Sequence, residues 1–292
     1  MTTTGIATHG WPHNLAWFGQ ASHGNATLHR LAQQCWASRM CDGPCNFSGG
    51  ADLVCDTCHF NSWLCGIERH PINDIYTYLP PSAVVLELGA RYGTVSCAIS
   101  HRQAKSGLRL SLEPDATAYK IHSANVRANG CAGHTLLAAA SRKPLFKHPT
   151  LRATSPKPSG NFLRTENCSA GCEQRKTYSV PQLADVLSQR VGHRVQFDSL
   201  VVDCEGCFMA LLEDEADFLR DPILERIFYE VDERNPKLIE RVCSFGFGIA
   251  RHEVDCLLPH NRPILSQVVF ERRAGLGCTP LKPVGGGHCP DD

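Results

Sequence analysis

The chain has 292 residues, room for one large core and a modest appendage, because single domains extend to about 250 residues. Its 29 basic and 29 acidic residues cancel, so no charge excess recommends nucleic acid or an anionic membrane, and the expected substrate is small or neutral. No run approaches the roughly 20 apolar residues of a membrane span, and residues 1–24 lack the basic start and apolar stretch of a signal peptide. The default expectation is cytoplasmic, while 16 cysteines keep a lumenal site open, since such thiol content accompanies disulfides or bound metal.

Residues 1–34 are rich in Gly, His, Asn and Thr without a period, which predicts a weakly ordered lead-in. Residues 35–78 form a cysteine-rich extension carrying Cys35, Cys41, Cys45, Cys55, Cys58 and Cys65. The Cys41-x3-Cys45 and Cys55-x2-Cys58 spacings suit a structural zinc, disulfides suit them at least as well, and free thiols are the third reading.

From residue 79 to 274 short aliphatic runs alternate with helical patterns, as βα units with a parallel sheet require. Seven strands are predicted: Val84 to Leu88, Leu108 to Leu112, Thr135 to Ala139, Ser199 to Val202, Ile227 to Val231, Gly246 to Arg251 and Gln267 to Glu271. A helix between Ser111 and Gly130 would bury Ala118, Ile121, Ala124 and Ala128, with Gly130 closing it. Another starts at Pro181 and buries Leu183, Val186 and Leu187. Residues 142–177 lack a period and read as an insertion loop or lid, and 275–292 as a flexible tail.

Glu87 closes the first strand and runs into Gly89 and Gly93, where backbone without Cβ atoms can turn tightly and approach a ligand. The dinucleotide fingerprint is missing two of its three glycines, because Arg91 and Thr94 stand in their places. Acidic-x-Gly-x-x-x-Gly suits a cofactor without a pyrophosphate, such as S-adenosylmethionine. Glu113 follows the second strand 26 positions after Glu87, near the interval at which a carboxylate reaches ribose hydroxyls. Glu87 and Glu113 are thus both candidate acceptors from the ribose diol.

From about Val84 to Arg272 the chain resembles the FkbM-type methyltransferases. Val85-Leu86-Glu87-Leu88-Gly89-Ala90-Arg91-Tyr92-Gly93 is similar to that family's first motif, and Leu112-Glu113-Pro114-Asp115, with Asn125 to Gly130, to its second strand and helix. Ala138-Ala139-Ala140-Ser141 resembles the segment near the adenine, and Val202-Asp203-Cys204-Glu205-Gly206 the Asp-x-Glu-Gly signature.

The resemblance implies an α/β, Rossmann-like class I methyltransferase with a seven-stranded, mostly parallel sheet, helices on both faces and a small cysteine-rich N-terminal extension. It implies an S-adenosyl-L-methionine cofactor held by Glu87, Gly89, Ala90, Tyr92, Gly93, Glu113, Pro114, Ala139 and Asp203. The reaction implied is O-methylation of a small-molecule or glycan acceptor, with no nucleic acid as partner.

Asp203, Glu205 and Glu230, at the carboxyl ends of strands four and five, are candidate general bases for a hydroxyl nucleophile. Asp203 and Glu205 suit capping of the following helix almost as well. No metal is expected, though hard cations take such carboxylates. Two other classes stay open: a non-catalytic binding protein on the same fold, and a zinc-dependent interaction module in residues 35–65.

Overall fold

The computed structural model describes residues 69–103, 107–147, 162–163, 172–204, 207–231, 236–257 and 262–278. The cysteine cluster of 35–65, the lead-in of 1–34, Glu205, Gly206 and the tail beyond 278 lie outside the described residues.

In chain order come α1 (Arg69–Tyr78), β1 (Val84–Leu88), α2 (Thr94–Arg102), β2 (Leu108–Leu112), α3 (Ala116–Ala128), β3 (His134–Leu136) and β4 (Ala139–Ala140). Then follow β5 (Leu145–Lys147), β6 (Phe162–Leu163), β7 (Glu173–Arg175), β8 (Thr177–Tyr178), α4 (Val180–Val191), β9 (Ser199–Val202), α5 (Cys207–Asp214) and α6 (Ala216–Arg220). The last elements are β10 (Arg226–Glu230), α7 (Pro236–Ser244), β11 (Gly248–Leu257) and β12 (Arg262–Glu271).

The main sheet has seven strands in the order β11-β12-β10-β9-β1-β2-β3. Every pair from β10 to β3 is parallel, while β12 runs antiparallel to both β10 and β11. A doubly wound dinucleotide fold has its strands in the order 3-2-1-4-5-6. Here the final strand is inserted in reverse between the fifth and sixth. The result is the Rossmann-like methyltransferase fold, α/β with a mostly parallel seven-stranded sheet.

Alternation along the strands divides the core. Leu86, Leu110, Leu200, Ile227 and Phe270 face one side, where they pack with Leu183 and Leu187 of α4, Phe208 and Leu211 of α5 and Leu238 of α7. Val85, Val201, Phe228 and Val269 face the other, against Ile75 of α1 and Val95, Ala98 and Ile99 of α2. Helices therefore cover both faces, and strands buried on two sides read as near-continuous apolar runs.

Several elements differ from the sequence expectation. The third predicted strand, Thr135 to Ala139, divides into β3, in the main sheet, and β4, which pairs with β8. On α3 the buried face holds Ile121, His122 and Asn125, whereas Ala128 is exposed. The stretch 142–177 contains β5, β6 and β7, a small antiparallel sheet. The start of the tail is tied down: Ile249 donates to the Gly277 carbonyl at 2.9 Å, and Cys278 is bridged to Cys243.

Candidate functional site

Between β1 and β9 the sheet reverses its winding, since the chain leaves β1 toward β2 on one side and reaches β9 on the other. Crossovers that diverge from a strand pair leave a crevice at the carboxyl ends, the usual ligand position of such sheets. A cleft lies there, lined by residues 87 to 95, Val201 and Asp203.

The loop that forms it is held by backbone geometry. Gly89 and Gly93 have φ of 81° and 92°, in the left-handed region that favours glycine. A Cβ on Gly89 would stand 1.7 Å from the Asp203 carbonyl oxygen, so the loop passes directly against the end of β9. Arg91 also adopts positive φ, 42°, a rare conformation for a residue with a Cβ and one that clusters at ligand sites. Gly89 and Ala90 both donate to the Leu112 carbonyl, at 3.1 and 3.0 Å.

Glu113, 6% exposed, fixes the loop from the neighbouring strand. Its Oε2 accepts from the Arg91 N–H at 2.8 Å and its Oε1 from the Asp115 N–H at 2.7 Å. Burial pushes its carboxyl up to about 7 despite these bonds. Each carboxylate oxygen can accept twice, so Glu113 keeps capacity for hydroxyl donors. From α3, Asn125 Nδ2 donates to the Tyr92 carbonyl at 2.7 Å.

Beneath the loop lies a polar cluster within the α1/α2 face of the core. Glu87 Oε2 accepts from Ser96 Oγ at 2.6 Å, from Ser111 Oγ, and from Arg109 at 3.3 Å. Ser96 Oγ is also 2.8 Å from His122 Nε2. All five residues are at most 2% exposed. Burial holds the His122 ring down to about 4, so it is neutral near pH 7.

Glu87, expected to accept from a ribose, thus has its Oε2 engaged inward; its Oε1 has no hydrogen-bond partner among the described residues. Gly89, Ala90, Tyr92, Gly93 and Asp203 come together at the cleft, and Glu113 joins them through the Arg91 amide. Ala139 sits on the β4–β8 ladder and is not among the residues that line the cleft, and Pro114 is half-buried just after Glu113. Asp203 N–H donates to the Leu88 carbonyl at 3.0 Å. Glu230 lies one residue past the Tyr229–Val202 pair, on the strand beside Asp203. Glu205 is outside the described residues.

Sequence reading missed Ser96, Arg109, Ser111 and His122. The signal was present in Leu108-Arg109-Leu110-Ser111-Leu112, whose strict alternation gives a central strand one polar face. Among the described residues no group of three or more His, Cys, Asp or Glu is placed to hold a metal, and no helix is long and apolar enough to cross a membrane.

No family model matches the chain, and no curated protein matches it in sequence. Solved structures do share its fold. One from Streptococcus pneumoniae, described as a tRNA (m1A22) methyltransferase in complex with S-adenosyl-L-methionine, is 13% identical, covers 73% of this chain and 75% of its own, and gives a TM-score of 0.42. An rRNA methylase from Streptococcus thermophilus is 11% identical, with 69% of this chain and 93% of that one covered and a TM-score of 0.40. A precorrin-6y C5,15-methyltransferase from Geobacter metallireducens is 11% identical, with 70% and 88% covered and a TM-score of 0.38.

The likeness is one of fold alone, and it does not reach the FkbM family in particular. It corrects the expectation about partners. Proteins named for tRNA and rRNA methylation share this fold, so excluding nucleic acid in favour of a small-molecule or glycan acceptor does not hold. The physical reason is that a formal charge of zero is a sum over the whole chain and does not describe the local field at a cleft.

Proposed function

We propose that the chain is a methyltransferase that binds S-adenosyl-L-methionine in the cleft between β1 and β9. The observation that carries this reading is Glu113, a buried carboxylate on β2's carboxyl end that grips the Arg91 amide of the glycine loop at 2.8 Å. In this reading its remaining lone pairs accept from the ribose hydroxyls, while Gly89, Ala90, Tyr92 and Gly93 shape the loop around the methionyl moiety. Arg91 and Thr94, standing where a dinucleotide loop has glycine, make a pyrophosphate the poorer fit.

The bound cofactor supplies an electrophilic methyl group. The chain's task is then to align the acceptor and take its proton. Asp203, Glu205 and Glu230, following β9 and ending β10, are the proposed proton acceptors, which suits a hydroxyl oxygen or another nucleophile that must lose a proton. Pro114 and Ala139 are proposed to flank the adenosine.

Calorimetric titration with S-adenosylmethionine and S-adenosylhomocysteine tests the cofactor. Binding to the native protein and its loss in Glu113→Ala support the reading; no binding of either ligand to the native protein ends it. Asp203→Asn, Glu205→Gln and Glu230→Gln should leave cofactor binding largely intact. The one that acts as base should lower turnover by about 100-fold or more.

A further inference from the structure

Cys204 and Cys207 form a disulfide, with their Cα atoms 5.4 Å apart. Two other bridges differ in kind: Cys97–Cys131 and Cys243–Cys278 join residues 34 and 35 positions apart. Constraint of the unfolded chain grows with the closed loop, so those two act as staples, whereas a bridge across three positions contributes least to the fold. Its position is the notable feature. Cys204 follows Asp203, and its Cα is 3.0 Å from where a Cβ on Gly89 would sit. The bridge therefore lies directly behind the loop that lines the cleft.

We infer that Cys204 and Cys207 are a thiol–disulfide exchange site whose substrate is a dithiol reductant, and that their redox state sets the shape of the adjoining cleft. Attack by the reductant's thiolate on Cys204 Sγ breaks the S–S bond and releases Cys207 as thiolate. The reductant's second thiol then displaces Cys204 from the mixed disulfide. Two electrons and two protons pass to the cysteines, and the reductant leaves as its own disulfide.

Both cysteines are only half-buried, packed at the edge of the core. Cys207 is the first residue of α5, where the helix dipole favours a thiolate and makes it a better leaving group. Neither of those two bridges has this arrangement. Cys97 is the fourth residue of α2 and its partner Cys131 is 7% exposed, while Cys243 lies in the last turn of α7, where the dipole opposes a thiolate.

When the bridge opens, Cys204 and Cys207 are left joined by the backbone bond from Cys207 N–H to the Cys204 carbonyl, 3.3 Å. The Asp203–Cys204 segment against Gly89 then has more freedom and must be ordered again when a ligand binds.

The test is timed reduction of the whole protein with dithiothreitol, trapping by alkylation, and peptide mass spectrometry, with S-adenosylmethionine affinity measured before and after. Cys204 and Cys207 should be alkylated on the order of tenfold faster than Cys97, Cys131, Cys243 and Cys278. Protein with only this pair opened, and the Cys204→Ser/Cys207→Ser variant, should bind S-adenosylmethionine about three- to tenfold more weakly, the loss expected for ordering one or two loop residues. Alkylation no faster than at the other bridges overturns the inference, as does unchanged affinity. The coupling to affinity rests on the proposed cofactor. If the pair reduces first and neither redox form binds S-adenosylmethionine, the cofactor reading fails and the exchange site stands.

Discussion

Arg109 and Glu87 form an ion pair 3.3 Å apart with both side chains withdrawn from water, 0% and 2% exposed. Arg109 also donates to Ser111 Oγ and to the Ala132 carbonyl, the latter at 2.9 Å. The pair therefore links β1, β2 and the turn after α3 under the glycine loop. A buried pair is weak as a source of stability, but removing one partner strands the other charge. Arg109→Met should cost about 3–5 kcal/mol in urea unfolding. Glu87→Leu/Arg109→Met should recover much of that loss, because no uncompensated charge remains. A double variant as unstable as the single one would assign the cost to packing.

The glycines predict a contrast within one variant type. Gly89 and Gly130 both have positive φ, 81° and 62°. A Cβ on Gly130 meets nothing within 4 Å, whereas one on Gly89 meets the Asp203 carbonyl. Gly130→Ala should cost only the conformational penalty, about 1 kcal/mol. Gly89→Ala must also push the loop off β9, so cofactor binding should be lost even where the fold survives. Thermal denaturation and calorimetry on the two variants separate strain from steric exclusion.

Two buried groups titrate in opposite senses. The Glu113 carboxyl is raised from 4.5 to about 7, so its contribution is fully present below pH 4.5 and is lost as pH rises through about 7. The His122 ring is lowered from 6.5 to about 4, so its contribution is present above pH 6.5 and is lost as pH falls through about 4. Each amounts to something on the order of 3 kcal/mol. Between pH 4.5 and 6.5 the two slopes oppose each other. Glu113→Gln should remove one of them, leaving a stability that falls steadily from pH 6.5 toward 4, measured by urea midpoints across pH. If ribose hydroxyls donate to ionised Glu113, as proposed, S-adenosylmethionine affinity should rise with pH up to about 7.

Much of the scaffold was legible because burial on both faces leaves an unambiguous mark. Val84 to Leu88, Leu108 to Leu112 and Ser199 to Val202 are strands with the bounds their sequences predict. Pro181 and the Ser179–Gln182 capping box start α4 where proline and a short hydroxyl residue direct it. Ala118, Ala124 and Ala128 misled: small apolar residues at helical spacing suggested a face, yet of the four expected residues only Ile121 is buried, beside the unexpected His122 and Asn125. Those two are drawn inward by Ser96 and the Tyr92 carbonyl, partners far away in sequence that periodicity does not reveal. The loop was legible from its glycines and Glu113 from its interval, but the inward engagement of Glu87 depends on Ser96, Ser111 and Arg109 meeting in space.

Asn125 provides a sharper test of how the loop is held. Its Nδ2 donates to the Tyr92 carbonyl at 2.7 Å across 33 residues of sequence, and it is 6% exposed. Asn125→Ala removes the donor and leaves the carbonyl of a tight loop without that partner. The expected loss of fold stability is about 1–3 kcal/mol. Asn125→Asp keeps the shape but replaces the donor with an acceptor facing an oxygen, so it should be at least as damaging. If the bond serves the cleft, both variants should also weaken S-adenosylmethionine binding at temperatures well below their unfolding midpoints. Equal affinity in native and variant proteins there would make Asn125 a packing residue of α3 and leave Glu113 as the principal anchor of the loop.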